Sequence, residues 1–342
     1  MKASYYSSFG GPDHLVYGDL PDPSPGPAEA LIRVKACALN HLDYWLLQGS
    51  IPSARQLPHV CGSDVAGVVE AIGKKVSNVS VGDQVLLDPA VRCFACAACK
   101  AGNDNLCESF KIFGAGTQGG YAELTLARAD HLFPLPAKLS FEEAAAFPLT
   151  FLTAYHMLFT RAHLQPKEIV LVHGAGSGVG VAAIQLAKRQ GARVFATAGS
   201  DAKCEKALKL GADHAINYLE DDFAERVHAL TQGKGVEVVF EHVGPTTFAG
   251  SLASLAPNGR LVTCGATTGP QVSFDLRPFY SKQLSILGSL MGTRADFEAC
   301  LRLLEQGKVK PVVDSVFPLR DARKAMEKLL SRDVFGKIVL VP

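Results

Sequence analysis

From Ser140 onward the chain alternates short apolar runs with helical stretches, and that alternation constrains the fold more than any other feature. Residues 141–158 are rich in Ala and Leu with helical spacing. Six runs then have strand character, over 168–173, 193–197, 214–217, 236–240, 260–264 and 284–288, with helices between the first five. A strand–helix–strand repeat implies a parallel sheet covered on both faces, since each crossover helix returns over one face. Six such strands with a glycine turn after the first predict a doubly wound α/β sheet.

The glycine turn reads His173-Gly174-Ala175-Gly176-Ser177-Gly178-Val179-Gly180 and opens a helix over 181–190. Glycines let the backbone turn sharply and approach a pyrophosphate, while the helix N-terminal amides and dipole favour negative charge. Gly174, Ala175, Gly176, Ser177, Gly178 and Val179 are therefore candidate contacts of a dinucleotide. The strict Gly-x-Gly-x-x-Gly spacing is absent; ending the motif at Gly180 gives Ala175-x-Ser177-x-x-Gly180. A plain tight turn is the alternative, disfavoured by the full alternation around it. NAD binders usually carry an acid at the end of the second strand, for the ribose hydroxyls. Here that end reads Thr197-Ala-Gly-Ser200 with Lys203 beyond, a small polar pocket suited to a 2′-phosphate, so NADPH is expected. Asp201 keeps NADH as the alternative.

Cys93, Cys96, Cys99 and Cys107 form the second informative cluster. Three thiolates at three-residue steps with a fourth eight positions on can wrap one tetrahedral Zn²⁺. Four sulfurs leave no position open for water or substrate, so such a metal would hold a lobe together. Disulfides or unrelated thiols are the competing reading, and the regular spacing in a short polar segment argues for zinc.

At 342 residues the chain exceeds what one hydrophobic core supports, so more than one domain is expected. Runs at 30–36 and 65–72 read as strands, and 81–87 as a turn entering another, in an N-terminal, β-rich domain. The expected partition is 1–148, containing a cysteine lobe at about 88–115, then the dinucleotide domain at 149–290. A tail at 291–342 carries helices at 295–306 and 321–330 and a strand at 337–341, and is expected to return to the first domain. A net charge of +1 gives no footprint for nucleic acid or anionic lipid. No run of about 18 apolar residues and no apolar signal core appears, so no membrane association is expected. Nine cysteines without such a signal point to a reducing cytoplasm.

Six further stretches carry a family resemblance: Ala38-Leu-Asn-His-Leu-Asp43, Gly119-Gly-Tyr-Ala-Glu123, Leu149-Thr-Phe-Leu-Thr-Ala-Tyr155, Ala198-Gly-Ser200 with Lys203, His242-Val-Gly244 and Phe335-Gly-Lys337. With the cysteine cluster and the glycine turn, they resemble the medium-chain dehydrogenase/reductase superfamily over essentially the whole chain. The nearest likeness is its quinone oxidoreductase branch, which includes enoyl reductases such as acryloyl-CoA reductase. The resemblance implies a GroES-like, mainly-β catalytic domain joined to a Rossmann domain. It implies Asn40 as a carbonyl or enolate donor and Asp43 as the group that orients its neighbours. It also implies coenzyme contacts at Thr153 (nicotinamide), Tyr218 (adenine or its phosphate), Val243, Gly265 and Lys337 (a phosphate). The stretch 284–291 resembles an edge through which such proteins form homodimers, with a tetramer as the alternative.

The departure from the family matters as much. Its zinc alcohol dehydrogenases hold a catalytic metal with Cys, His and Cys, and the matching positions here are Asn40, Ser63 and Leu149. The expectation is an enzyme that reduces activated C=C bonds or quinones, taking an enone, a quinone or an enoyl-CoA as its small-molecule substrate, with a structural zinc and no catalytic one. One alternative is a zinc alcohol dehydrogenase with displaced ligands drawn from Cys37, His59, Cys61 and Asp64. Another is a non-catalytic NADP-binding or RNA-associated protein.

Overall fold

A computed structural model describes residues 1–51 and 56–342. The chain divides into two units, Met1–Leu149 with Lys310–Pro342, and Thr150–Val309.

The second unit is built on six parallel strands: β1 (Ile169–Val172), β2 (Arg193–Ala198), β3 (His214–Asn217), β4 (Val236–Glu241), β5 (Leu255–Thr263) and β6 (Ser285–Gly288). Their order across the sheet is β3-β2-β1-β4-β5-β6. The order reverses between β1 and β4, and ligands of such sheets bind outside the carboxyl ends of the strands at that point. Val170, Leu171, Val172, Val238, Val239 and Phe240 are fully buried, as central strands covered on both faces require. The crossovers include α1 (Gly178–Gln190), α2 (Asp201–Leu210), α3 (Phe223–Leu230) and α4 (Pro245–Ala253). β5 begins at Leu255, five residues earlier than the apolar pattern suggests. An irregular register beside Val236 and Val238 and a left-handed Asn258 carry the extra residues.

The first unit centres on a seven-stranded sheet. Its middle is Lys337–Val341, Glu29–Ala38 and Asp64–Ile72, side by side and antiparallel. Alternate residues of Glu29–Ala38 (Ala30, Ile32, Val34) face a core shared with Val65, Val69, Val85 and Ile338. The sequence suggests one helical region over 141–158. Pro148 cannot extend a helix backwards, so Phe141–Ala145 and Pro148–Tyr155 are separate helices, followed by a π-helical turn, His156–Arg161. The return to the first unit comes at Lys310, not at 291. The helix Arg294–Glu305 stays with the second unit because it is tied there: Asp296 Oδ2 is 2.7 Å from His156 Nδ1, and Cys300 Sγ donates to the Phe151 carbonyl. Among the described residues no helix is long and apolar enough to cross a membrane.

Candidate active site

Strand register in the first unit brings three polar side chains to one end of its sheet. Ala38 pairs with Asp64 on one side and with Val339 on the other, and the Leu39 amide donates to the Ile338 carbonyl. Asn40, Asp64 and Lys337 therefore meet although they are far apart in sequence. Lys337 Nζ donates to Asn40 Oδ1 at 2.5 Å and to Asp64 Oδ2 at 2.9 Å. Asn40 Nδ2 donates to the same Asp64 oxygen at 2.9 Å, and the Leu149 amide donates to Asp64 Oδ1 at 2.7 Å. All three side chains are buried, and Asp64 is completely so. An ammonium can only donate and a carboxylate can only accept, so the pair fixes which end of the Asn40 amide faces which way. One Asn40 N–H is committed to Asp64 and the second is not.

Lys337 thus lies in this polar cluster, not at a coenzyme phosphate as the resemblance implies and not in solvent. The sequence offers Asp64 only as a displaced metal ligand, and no spacing singles out the destination of Lys337. The signal is the strand register, which no local pattern reveals.

Asp43, three residues after Asn40, is the hub of a second set of bonds. Its Oδ2 accepts from the Asn40 amide at 2.8 Å and from the Tyr121 hydroxyl at 2.9 Å, and its Oδ1 accepts from the Gly62 amide at 3.2 Å. Burial pushes its carboxyl up to about 6, against the pull of these donors and of Lys337. Gly62 has φ +102°, and a Cβ there would lie 2.5 Å from the Tyr121 ring and 2.6 Å from Cys37 Sγ. Only glycine admits this approach of backbone to ring.

The positions that the resemblance matches to the family's metal ligands hold Asn40, Ser63 and Leu149, and among the described residues the displaced alternatives form no group spaced to share a metal. His59 Nε2 bonds the Gly114 carbonyl, Cys61 Sγ points to the Asp43 carbonyl and Asp64 is paired with Lys337. Among the described residues, the one group of three or more side chains spaced to share a metal is Cys93, Cys96, Cys99 and Cys107. Their sulfurs lie within 4.8 Å of one another, and Cys93 and Cys99 are 3.8 Å apart. A tetrahedron with Zn–S bonds of about 2.3 Å has edges of about 3.8 Å, so the donors fit that ion. Amides of Ala95 and Cys96 point at Cys93 Sγ, and those of Cys93 and Ser109 at Cys107 Sγ, as donors that favour thiolate.

In the second unit the glycine turn lies after β1, at the sheet's carboxyl edge. Ser177 caps α1, its side chain accepting from the Gly180 amide. The Ser177 amide is taken by the Gly174 carbonyl and the Ala175 amide by the Thr197 carbonyl. Gly178 and Val179 are then first-turn amides with no carbonyl one turn back inside the helix. A Cβ on Gly180 would lie 2.3 Å from the Gly174 carbonyl oxygen, so glycine there allows the tight helix–strand packing. The Gly174 amide faces inward, to Thr197 Oγ1 at 3.3 Å.

The other expected coenzyme contacts follow neighbouring strands on the same edge. Ser200 caps α2 by accepting from the Lys203 amide, and Asp201 accepts from Asn217 Nδ2. Half-exposed Tyr218 lies over the end of β2, where a Cβ on Gly199 would meet its hydroxyl at 2.6 Å. Val243 follows β4, its carbonyl held by Thr268, and Gly265 follows β5, its carbonyl accepting from Thr263 Oγ1. Thr153 is apart from these, on Pro148–Tyr155, its hydroxyl directed at Met291 Sδ.

Comparison with known proteins places the whole chain. Residues 26–137 match the family described as the alcohol dehydrogenase GroES-like domain, and residues 178–306 match the zinc-binding dehydrogenase family. The quinone oxidoreductase of Mus musculus is 33% identical over 100% of this chain and 98% of its own. A solved structure described as an NAD-dependent alcohol dehydrogenase is 45% identical, with a TM-score of 0.97 over 100% of both chains. The cobalt- and zinc-bound thermostable alcohol dehydrogenase from Pyrobaculum aerophilum is 37% identical, with a TM-score of 0.91 over 100% of this chain and 99% of that one.

Proposed function

The chain belongs to the medium-chain dehydrogenase/reductase superfamily, in its quinone oxidoreductase-like branch, and is an NAD(P)-dependent oxidoreductase; from that membership we propose that it uses NADPH to reduce carbonyl-conjugated C=C bonds or quinones without a catalytic metal. The observation that carries the proposal is that the positions matched by the resemblance to the three metal ligands hold Asn40, Ser63 and Leu149, with the carboxylate bonded to the Asn40 amide, Asp64, paired with Lys337.

The energetics favour this reaction over alcohol oxidation. A bound Zn²⁺ drops the pKa of water from about 15.7 to about 7, roughly 12 kcal/mol of preference for an oxyanion. An amide donor is worth about 3–4 kcal/mol at such a position. That is too little to form an alkoxide from an alcohol, but it suits an enolate whose charge is already delocalised. In this reading the second N–H of Asn40 donates to the substrate oxygen. Lys337, bonded to the amide oxygen, polarises the amide and strengthens that donor. Asp43 holds the Asn40 backbone and the Gly62 loop. Bound NADPH would supply hydride to the β-carbon, and the protein or water would protonate the α-carbon.

NADPH is favoured because the end of β2 offers Ser200 and Lys203, while Asp201 is engaged by Asn217. The turn Gly174–Val179, Thr153, Tyr218, Val243 and Gly265 complete the coenzyme site in this reading. NADH is the second reading, favoured by the relative described as NAD-dependent. Cys93, Cys96, Cys99 and Cys107 would hold one structural Zn²⁺, which would fix the lobe and take no part in the chemistry. β6 ends the sheet with no further strand beside it among the described residues, which supports a homodimer formed edge to edge, and nine cysteines without a disulfide among the described residues suit the cytoplasm.

The test is coenzyme oxidation against a panel of short enones, enoyl-CoAs and quinones, with NADH as comparator. NADPH-dependent turnover of at least one class, unaffected by mild chelation, is expected. Alcohol oxidation that requires added zinc, with no turnover across the panel, would overturn the reading.

A further inference from the structure

A run of buried hydrogen bonds in the second unit has one direction throughout. Glu241, at the end of β4, is fully buried and accepts four bonds: Val243 and Gly244 amides on Oε1 at 2.6 and 3.1 Å, and Thr247 and Ser251 hydroxyls on Oε2, both at 2.8 Å. The Ser251 hydrogen is spent on that carboxylate, so its oxygen must accept from His173 Nε2, 2.9 Å away. Burial pushes the His173 imidazole down to about 4, against the attraction of Glu241, so it carries one proton at neutral pH. With that proton on Nε2, Nδ1 accepts from the Thr197 hydroxyl at 3.1 Å, and Thr197 Oγ1 in turn accepts from the Gly174 amide. The Phe223 ring packs against the imidazole, and His242 Nε2 donates to the His173 carbonyl.

This chain of donors links the ends of β1, β2 and β4 with α4. Its far end is Gly174, the first residue of the glycine turn, at φ +60°. With that amide and those of Ala175 and Ser177 held inside the turn, Gly178 and Val179 are left as the first-turn amides of α1 without a carbonyl one turn back.

We propose that Glu241 is a positioning residue of the coenzyme site, orienting the glycine turn through Ser251, His173 and Thr197 while fixing the Val243–Gly244 backbone. The proposal rests on the reading that this turn holds the coenzyme's pyrophosphate. Glu241 acts only through these intermediates and touches no reacting atom.

The experiment compares wild type with Glu241→Gln and Ser251→Ala, measuring KM for NADPH, kcat at saturating coenzyme, and ¹⁵N chemical shifts of His173. Gln must present an NH₂ to a site that only receives donors, so the chain reverses and the His173 proton moves from Nε2 to Nδ1. Losing an oriented hydrogen-bond chain at the turn raises KM for NADPH about 3- to 10-fold, with kcat changed less than about twofold. Ser251→Ala keeps the Val243 and Gly244 bonds, so it serves if Glu241→Gln does not fold. It should abolish the Nε2 signature and raise KM in the same direction. A lower melting temperature with KM for coenzyme unchanged in Ser251→Ala would overturn the proposal, leaving Glu241 a purely structural carboxylate. Failure of the wild-type protein to bind either NADPH or NADH would overturn the coenzyme reading itself, a separable result.

Discussion

The Lys337 ammonium lies 2.5 Å from Asn40 Oδ1, across 297 positions of sequence, and in the same hydrogen-bonded group as the buried Asp64 carboxylate. A fixed cation therefore stands one amide away from the atom proposed to meet the substrate oxygen.

Removing that cation should be costly for two reasons. Lys337→Met leaves the buried Asp64 carboxylate without its counter-charge, which typically destabilises by about 3–5 kcal/mol. Pairing it with Asp64→Asn should recover most of that stability, because the orphaned charge is gone. Turnover should not return, since the orientation of the Asn40 amide depends on both charges. Urea unfolding and steady-state kinetics on the single and double variants check this. Restored kcat in the double variant would show that the pair serves stability alone.

Asn40→Ala tests the donor directly. Loss of one preorganised oxyanion donor lowers kcat by about 10²–10³-fold. Coenzyme affinity should be unchanged, because the glycine turn belongs to the other unit. Fluorescence titration with NADPH alongside turnover of an enone separates the two effects, and an active Asn40→Ala would remove this residue from the chemistry.

The pH dependence follows from Asp43. Its carboxyl, raised to about 6 by burial, is ionised at pH 7 and is protonated as pH falls through 6. An acid whose folded pKa lies above its unfolded value loses stability on ionising. Asp43 thus costs about 3 kcal/mol above pH 6, a cost released as pH falls from about 6 to about 4. An acid limb in kcat/KM near pH 6 would then arise without unfolding at this residue. Tyr121→Phe deletes a donor that holds the carboxylate down, so the limb should move to higher pH. A limb that stays in place in that variant would assign it to another group.

Cys99→Ser should reduce bound zinc from one per chain to well below one and lower the melting temperature. The fraction that folds should keep its kcat, since the lobe supplies no reacting group. Metal analysis and calorimetry on the purified variant decide it. An unchanged zinc content would refute the four-sulfur assignment.

What the sequence disclosed depended on how local each signal is. The strand runs and the glycine turn follow from spacing over a few residues, and the sheet order β3-β2-β1-β4-β5-β6 agrees with them. The sulfur cluster was equally legible, because four ligands within fifteen residues need little help from the rest of the fold. Lys337 was not. Its position follows from the antiparallel register of Lys337–Val341 against Glu29–Ala38, a pairing between distant segments that no motif encodes. Glu241 and His173 were hidden for a different reason. Each lies in an otherwise apolar strand end, where a polar residue reads as an exception until its partners are seen. The boundary at 310 in place of 291 came from one helix held by a buried His156–Asp296 bond.

The strand bearing Lys337 is made only after the whole of the dinucleotide unit. A nascent chain that has emerged as far as Val309 therefore carries Asp64 without its counter-charge and Asn40 without its anchor. In the proposed reading, the group that would meet the substrate oxygen is completed only after the unit that would bind the coenzyme.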